Sequence, residues 1–399
     1  MKDDIRIFVK QVDRAQVPDL WSEIRSRRPQ TPVPEARPTG RLVTAAAAIV
    51  VAILALGFAY EAFRSYGKPA SEPSPSATSS PMPQLTGDPR VTAEVQVPHG
   101  CIGSGVAIGA GSVWRGLWPE KYDCGDSRIM RIDLATNRIV AEIPVPVVGR
   151  LAATDDAVWV ASHGLLQRID PATDSVVGNV QMPDREISAV TADANDVWAV
   201  TIDPVSGGVL VRVDAATNRV VAKIPLGPQI TGYADEVAVA VGSVWVLGSR
   251  WIELENAEYG SDLIRVDPST NEVAARIPVG GFHMVEAEDA IWVRFPADGV
   301  FDEREERWLW TKVAVDTNTP SEPFSLDAAG LEIVTPEALW AVDYDEQENV
   351  RVTRYDPKTL AVQARSAPIR SYFTGAVLDP ASGSVWVSAI DSTVRVDIS

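Results

Sequence analysis

One short pattern recurs seven times in this chain, a Trp preceded by an aliphatic residue. The Trp residues are Trp114, Trp159, Trp198, Trp245, Trp292, Trp340 and Trp386, at spacings of 45, 39, 47, 47, 48 and 46 residues. A repeat of 40–50 residues is one supersecondary unit that cannot bury its apolar face alone. Stacked copies must cover it, so the pattern restricts the fold to a propeller or a solenoid.

Each Trp is followed by a second marker, a short β run ending in Asp. Examples are Arg131-Ile132-Asp133, Arg168-Ile169-Asp170, Arg212-Val213-Asp214 and Arg265-Val266-Asp267; Val315-Asp316, Arg354-Tyr355-Asp356 and Arg395-Val396-Asp397 complete seven. Turns such as Asp267-Pro268-Ser269-Thr270-Asn271 come next. There Pro presets φ, and Asp and Asn side chains satisfy local backbone groups. A further alternating run, for example Arg138 to Val145, supplies an outer strand. The unit therefore reads as four short strands, and helix periodicity is absent after residue 91. Residues 91–399 divide into seven units of about 44.

The two ends favour a ring. The last unit stops at Asp397, after its third strand, while Val91 to Val97 reads as a fourth strand with no unit of its own. Pairing the two closes the ring and hides the edges that an open array exposes. The expected fold is all-β, a seven-bladed β-propeller closed by an N-terminal strand and preceded by one transmembrane helix.

That helix is read at Leu42–Tyr60, 19 residues without a charge. At helical rise they span about 28 Å, close to the hydrocarbon core of a bilayer. Residues 1–41 carry nine Lys/Arg, and the 20 residues after Tyr60 carry only Arg64 and Lys68. The positive-inside rule places the N-terminus in the cytoplasm and the remainder outside. The formal net charge of −18 is then a +3 head joined to a −21 exterior. Four segments result: a cytoplasmic head with short helices (1–41), the span (42–60), a Pro/Ser-rich extracytoplasmic stalk (61–90) and the propeller (91–399). An acidic exterior excludes nucleic acid, whose phosphates need basic surface.

The repeat resembles YVTN-type propeller repeats and, more distantly, the virginiamycin B lyase family. The likeness rests on Val-Trp-Val, on Arg-Ile-Asp-Pro-x-Thr and on the Val-Val-Ala-x-Ile-Pro outer strand. It implies the propeller fold across residues 91–399. In the lyases it also implies chemistry by a His and an acidic residue near the axis, with magnesium. Their Asp-Gly-x-x-Trp-Phe-Thr-Glu repeat and paired-His motif do not occur in this chain. No catalytic residue is carried over, and neither cofactor nor metal is expected. The head segment Val17-Pro18-Asp19-Leu20-Trp21-Ser22-Glu23-Ile24 resembles that of actinobacterial membrane proteins related to anti-sigma factors. It contains neither His nor Cys, so a zinc-binding head is excluded, and a zinc-free relative that binds a regulator stays open.

Candidate site residues follow from the loops. In a four-stranded blade, the loops joining strands two and three share a face with the blade-to-blade connections. Here the former vary most, at 119–127, 203–208, 250–262, 297–308 and 345–349, and binding residues concentrate on variable loops over a rigid scaffold. Trp118, Tyr122, Trp251, Tyr259, Trp308, Trp310 and Tyr344 on or beside these loops, together with His283, are the expected ligand-binding set. Carboxylates accompany them, among them Glu253, Glu255, Asp302, Glu303 and Asp345. Aromatic and acidic groups together suit a peptide, a glycan or an extracytoplasmic protein. Cys101 and Cys124 fall on the same face, and outside the cell a disulfide is expected between them. His99, His163 and His283 map there too, without the spacing of a metal site.

The sequence thus leads to a membrane-anchored extracytoplasmic binding propeller, with the seven repeat Trp as structural residues. Two alternatives stand beside it. One is a lyase with His99 or His283 as base. The other is a transmembrane sensor whose head regulates a sigma factor.

Overall fold

The computed structural model describes residues 85–98, 101–119, 126–182, 186–203, 207–227, 234–248, 262–279, 281–296, 308–326, 330–345, 349–369 and 373–399. The expected head and span lie outside these residues, as do all of the stalk before Leu85 and His99, Tyr122, Cys124, Trp251 and Tyr259. Among the described residues no helix is long and apolar enough to cross a membrane.

The described strands form seven antiparallel sheets. Six use consecutive strands; blade one, for example, runs Cys101–Gly109, Ser112–Pro119, Arg128–Asp133 and Arg138–Pro144. Blade seven joins Phe373–Asp379, Ser384–Ala389 and Ser392–Asp397 to Arg90–Gln96, the expected N-terminal strand. Arg90 is in register with Asp397 and Gln96 with Ser392. The inner strand of every blade touches that of the next, and blade seven's touches blade one's, so the ring is closed.

The repeat Trp explains why the sheets associate. All seven indoles are buried, with Trp292 the most exposed at 4%. Seven apolar clusters fill the molecule, and each holds one repeat Trp wedged against the following blade. Trp114 of blade one packs on Val158 and Val160 of blade two, and Trp386 of blade seven packs on Val113 and Met130 of blade one. Removing such a side chain costs about 3–5 kcal/mol, because the rigid sheets around it cannot collapse into the space.

The repeat Asp are turn-setters. Asp133 accepts from the backbone N–H and hydroxyl of Thr136 at 2.8 and 2.7 Å, and Asp214 accepts likewise from Thr217 at 2.7 Å each. These bonds hold both carboxyls below their usual pKa. Each turn ends in a left-handed residue: Asn137, Asp174, Asn218, Asn271, Asn318 and Leu360. Blade five departs from the sequence reading. Register pairs Ala290 with Ala314, as Ser112 pairs with Asp133 in blade one, so Ala314 and not Asp316 takes the position of the repeat Asp. The similar Asp two residues later conceals this in the sequence.

A buried Arg reinforces the closure. Arg115, in the second strand of blade one, has no exposed surface. It donates to the backbone oxygens of Ala389 and Ser392 and, at 2.5 Å, to the Thr393 hydroxyl. All three acceptors belong to the terminal hairpin of blade seven, to which the N-terminal strand is also paired. Burial pulls the Arg115 pKa down to about 10, opposed by the charge of Asp391, so the group stays charged at neutral pH. Arg115→Met orphans these acceptors and is expected to lower stability by about 3 kcal/mol, read as a fall in the urea midpoint. An unchanged midpoint shows that the strand pairing alone holds the ring.

Candidate functional site

The channel along the ring axis is lined by the inner strands. Most contribute small or aliphatic residues there, such as Gly105, Ala189, Ala238 and Ala376, around a cavity of about 300 Å³. Blade two departs from this pattern with Arg150, and blades four, five and six with Glu236, His283, Glu286 and Glu332. Local backbone makes room for two of them. A Cβ on Gly281 lies 2.3 Å from Val293, and one on Gly330 lies 2.8 Å from the Val342 carbonyl oxygen. Glycine therefore lets the chain press against the second strand just before His283 and Glu332. Glu332 also occupies a β-bulge between Leu331 and Ile333, a device that re-aims a side chain.

The four groups interact across three blades. His283 Nδ1 and Glu236 Oε1 are 2.5 Å apart, and Glu236 Oε2 accepts the backbone N–H of Met284 at 2.6 Å. A carboxylate accepting through both oxygens leaves Nδ1 as the donor, which fixes the imidazole tautomer. Trp310 stands edge-on to the imidazole, with ring centroids 6.0 Å apart. Burial raises the Glu286 pKa; its own backbone N–H and His283 oppose the rise, and Glu236 adds to it. Burial likewise raises Glu332 to about 7, with His283 opposing and Glu236 adding. Accessible surface makes Glu286 exposed and Glu332 half-buried, whereas the protein around them is as dense as an interior. The protein enclosing the channel governs both pKa values.

Toward the variable-loop face the channel meets a second cavity of about 330 Å³, lined by Trp118, Arg150, Ser162, His163 and Glu186. Gly105 and Arg150 line both cavities. Arg150 Nε donates to the Ser188 carbonyl at 3.2 Å.

The fold now has a counterpart. The WD40 domain of Neurospora crassa Pan2 is similar, with a TM-score of 0.58, 9% identity and coverage of 78% of this chain and 96% of that one. At that identity the likeness shows the fold alone. No protein-family model matches the sequence. The search of curated proteins finds no match.

Of the expected site residues, His283 and Trp310 meet in the structure. Trp118 and Tyr344 are exposed, at 49% and 46%. Tyr344 accepts the backbone N–H of Phe373 through its hydroxyl at 3.1 Å. Trp308 is half-buried, edge-on to Phe282 at 6.1 Å, with the Arg294 guanidinium 4.0 Å over its ring. Burial brings the Arg294 pKa down to about 10, with Asp343 opposing. Trp310 has no exposed surface and packs with Val285 and Trp292. His163 lies on the cavity rim, and Cys101 is disulfide-bonded. Glu236, Glu286 and Glu332 were not singled out in the sequence. They sit in inner strands without a shared motif, and a charge alone is no signal there, since blade two carries Arg150 at the register position of Glu236.

The raised pKa of Glu332 has a definite sign. Its folded pKa of about 7 lies above the unfolded carboxylate value, so its contribution favours folding at low pH and is lost as pH rises toward and through 7. Glu332→Gln is therefore expected to leave the melting temperature at pH 4.5 nearly unchanged and to raise it by a few degrees at pH 8. Equal shifts at both pH values rule out a raised pKa.

Proposed function

We propose that this protein is a membrane-anchored, extracytoplasmic binding propeller that takes a cationic, amine-bearing ligand at the axial mouth of its variable-loop face. The observation that carries the ligand class is the convergence of Glu236, Glu286 and Glu332 beside His283, three carboxyl groups against Arg150, which lines the same cavity and donates to the Ser188 carbonyl. A low-dielectric enclosure strengthens the attraction of fixed carboxylates for an ammonium group. Trp118 at the mouth adds an aromatic surface on which a peptide or amine can lie. The uncharged segment Leu42–Tyr60, the basic flank before it and the Pro/Ser-rich stretch after it support the anchor and the exported position. The likeness of the head to anti-sigma-related proteins supports a regulatory contact there, which would make the propeller a sensor.

Calorimetric titration of the full chain with trilysine at pH 8 tests the ligand class. Saturable binding is expected, weakened about tenfold or more in the double variant Glu236→Gln/Glu332→Gln and on moving to pH 5, where Glu332 takes up a proton. Equal binding by the variant, or by trialanine, removes the axial carboxylates from the site.

One observation favours a second reading. Glu236 fixes the His283 imidazole on the axis, the arrangement of a general base held by a carboxylate. A lyase acting on a cyclic peptide lactone would use such a pair. Ring opening of a lactone substrate that disappears in His283→Asn supports it, and turnover that persists in that variant excludes His283.

A further inference from the structure

The blades are clipped together by a device that the repeat pattern does not announce. In register with each repeat Trp, the third strand carries a basic residue: Arg131, Arg168, Arg212, Arg265, Lys312, Arg354 and Arg395. Arg131 crosses to blade two and donates to the Pro171 carbonyl at 2.6 Å and to Asp174 at 2.8 Å. Arg212 reaches Pro268 and Asn271 of blade four, Arg265 reaches Val315 and Asn318 of blade five, and Arg395 reaches Leu134 and Asn137 of blade one. In each case the acceptors are a turn carbonyl and the side chain of the left-handed turn residue. Arg354 finds Gly87 and Asp88 instead, because the N-terminal strand completes blade seven. Arg168 keeps its stack over Trp159, 5.8 Å from the ring centroid.

Both halves of the clip are changed where blade five meets blade six. Lys312 replaces Arg, and Leu360 holds the left-handed turn position with φ 58°, where the other turns have Asn or Asp. The Lys312 ammonium lies 4.2 Å from the Trp292 ring centroid and 5.4 Å from that of Phe324. Among the described residues no oxygen pairs with it. The outer strand of blade five is also broken, into Thr319–Pro320 and Phe324–Ser325. A cleft of about 930 Å³ opens at this junction, against about 300 Å³ for the axial cavity. Its wall includes Lys312, Val334, Pro336, Leu339 and Pro357. It lies on the face of the short strand-one-to-two turns, opposite the variable loops.

We infer that this cleft is a second binding site, for a monocarboxylate with an apolar body. The carboxylate supplies to Lys312 the oxygens that the turn of the next blade supplies to Arg at the clipped junctions. The aliphatic and proline wall takes the apolar part. Glu288 and Asp289 on the same wall repel any anion, and a dianion such as phosphate about twice as strongly as a monocarboxylate. The inference does not depend on the axial site, which lies in the channel and presents carboxylates to the opposite ligand charge.

The test uses the full chain with 4-phenylbutyrate, 4-phenylbutylamine and inorganic phosphate, read by saturation-transfer NMR and calorimetry. Phenylbutyrate is expected to bind saturably in the millimolar range or tighter. Lys312→Met weakens it about tenfold. The double variant Lys312→Arg/Leu360→Asn restores the clip, abolishes binding and melts higher than the parent, which shows that lost binding is not lost folding. Phosphate does not displace the probe. The inference is overturned if phenylbutyrate does not bind, binds Lys312→Met or the double variant as well as the parent, is matched by phenylbutylamine, or is displaced by phosphate.

Discussion

The indole wedged between neighbouring sheets is the interaction on which the rest of this structure depends. A four-stranded sheet of this size has two apolar faces and no core of its own. One Trp per blade fills the gap to the next sheet, and seven such contacts, repeated without a break, turn flat sheets into a ring. The basic residue of the third strand lies over that indole in most blades and, at the clipped junctions, reaches the turn of the following blade. The same register therefore sets apolar packing and polar clipping together. Where one member changes, as at Lys312, a cleft lies at the junction while the indole contact with Leu339 and Tyr355 persists.

Closure places a separate demand on the chain. A ring assembled in sequence order leaves one blade short of a strand and one junction to be made last. Pairing Arg90–Gln96 with Ser392–Asp397 supplies the strand, and Arg115 pins the hairpin beside it. Leu85 extends the seal by packing with Trp340 and Val396. These contacts join residues about 300 positions apart, so they carry a large loop-closure entropy.

The axial chemistry is a consequence of the ring. Three neighbouring inner strands bring four titratable groups into one narrow space, and enclosure shifts the two carboxylic acids that lack a strong partner. Glu236 instead has partners in His283 and the Met284 amide. The raised pKa of Glu332, about 7, makes the charge of this channel respond to pH near neutrality.

The sequence by itself determined the architecture: the seven Trp, the turn Asp and the unattached strand at the N-terminus are local features that repeat with one period, and repetition makes them legible. It also determined which face carries the variable loops. It did not disclose the partner of Arg131 or Arg212, because a clip joins residues about 40 to 60 positions apart and the turn Asn has an adequate local role of its own. Nor did it disclose the axial group. Glu236, His283, Glu286 and Glu332 share no motif and no helical or strand period, since each belongs to an inner strand whose side chains are ordinary in isolation. Only the curvature of the closed ring sets them against one another, and only the tertiary structure decided that His283 meets a carboxylate while Trp310 lies in the core.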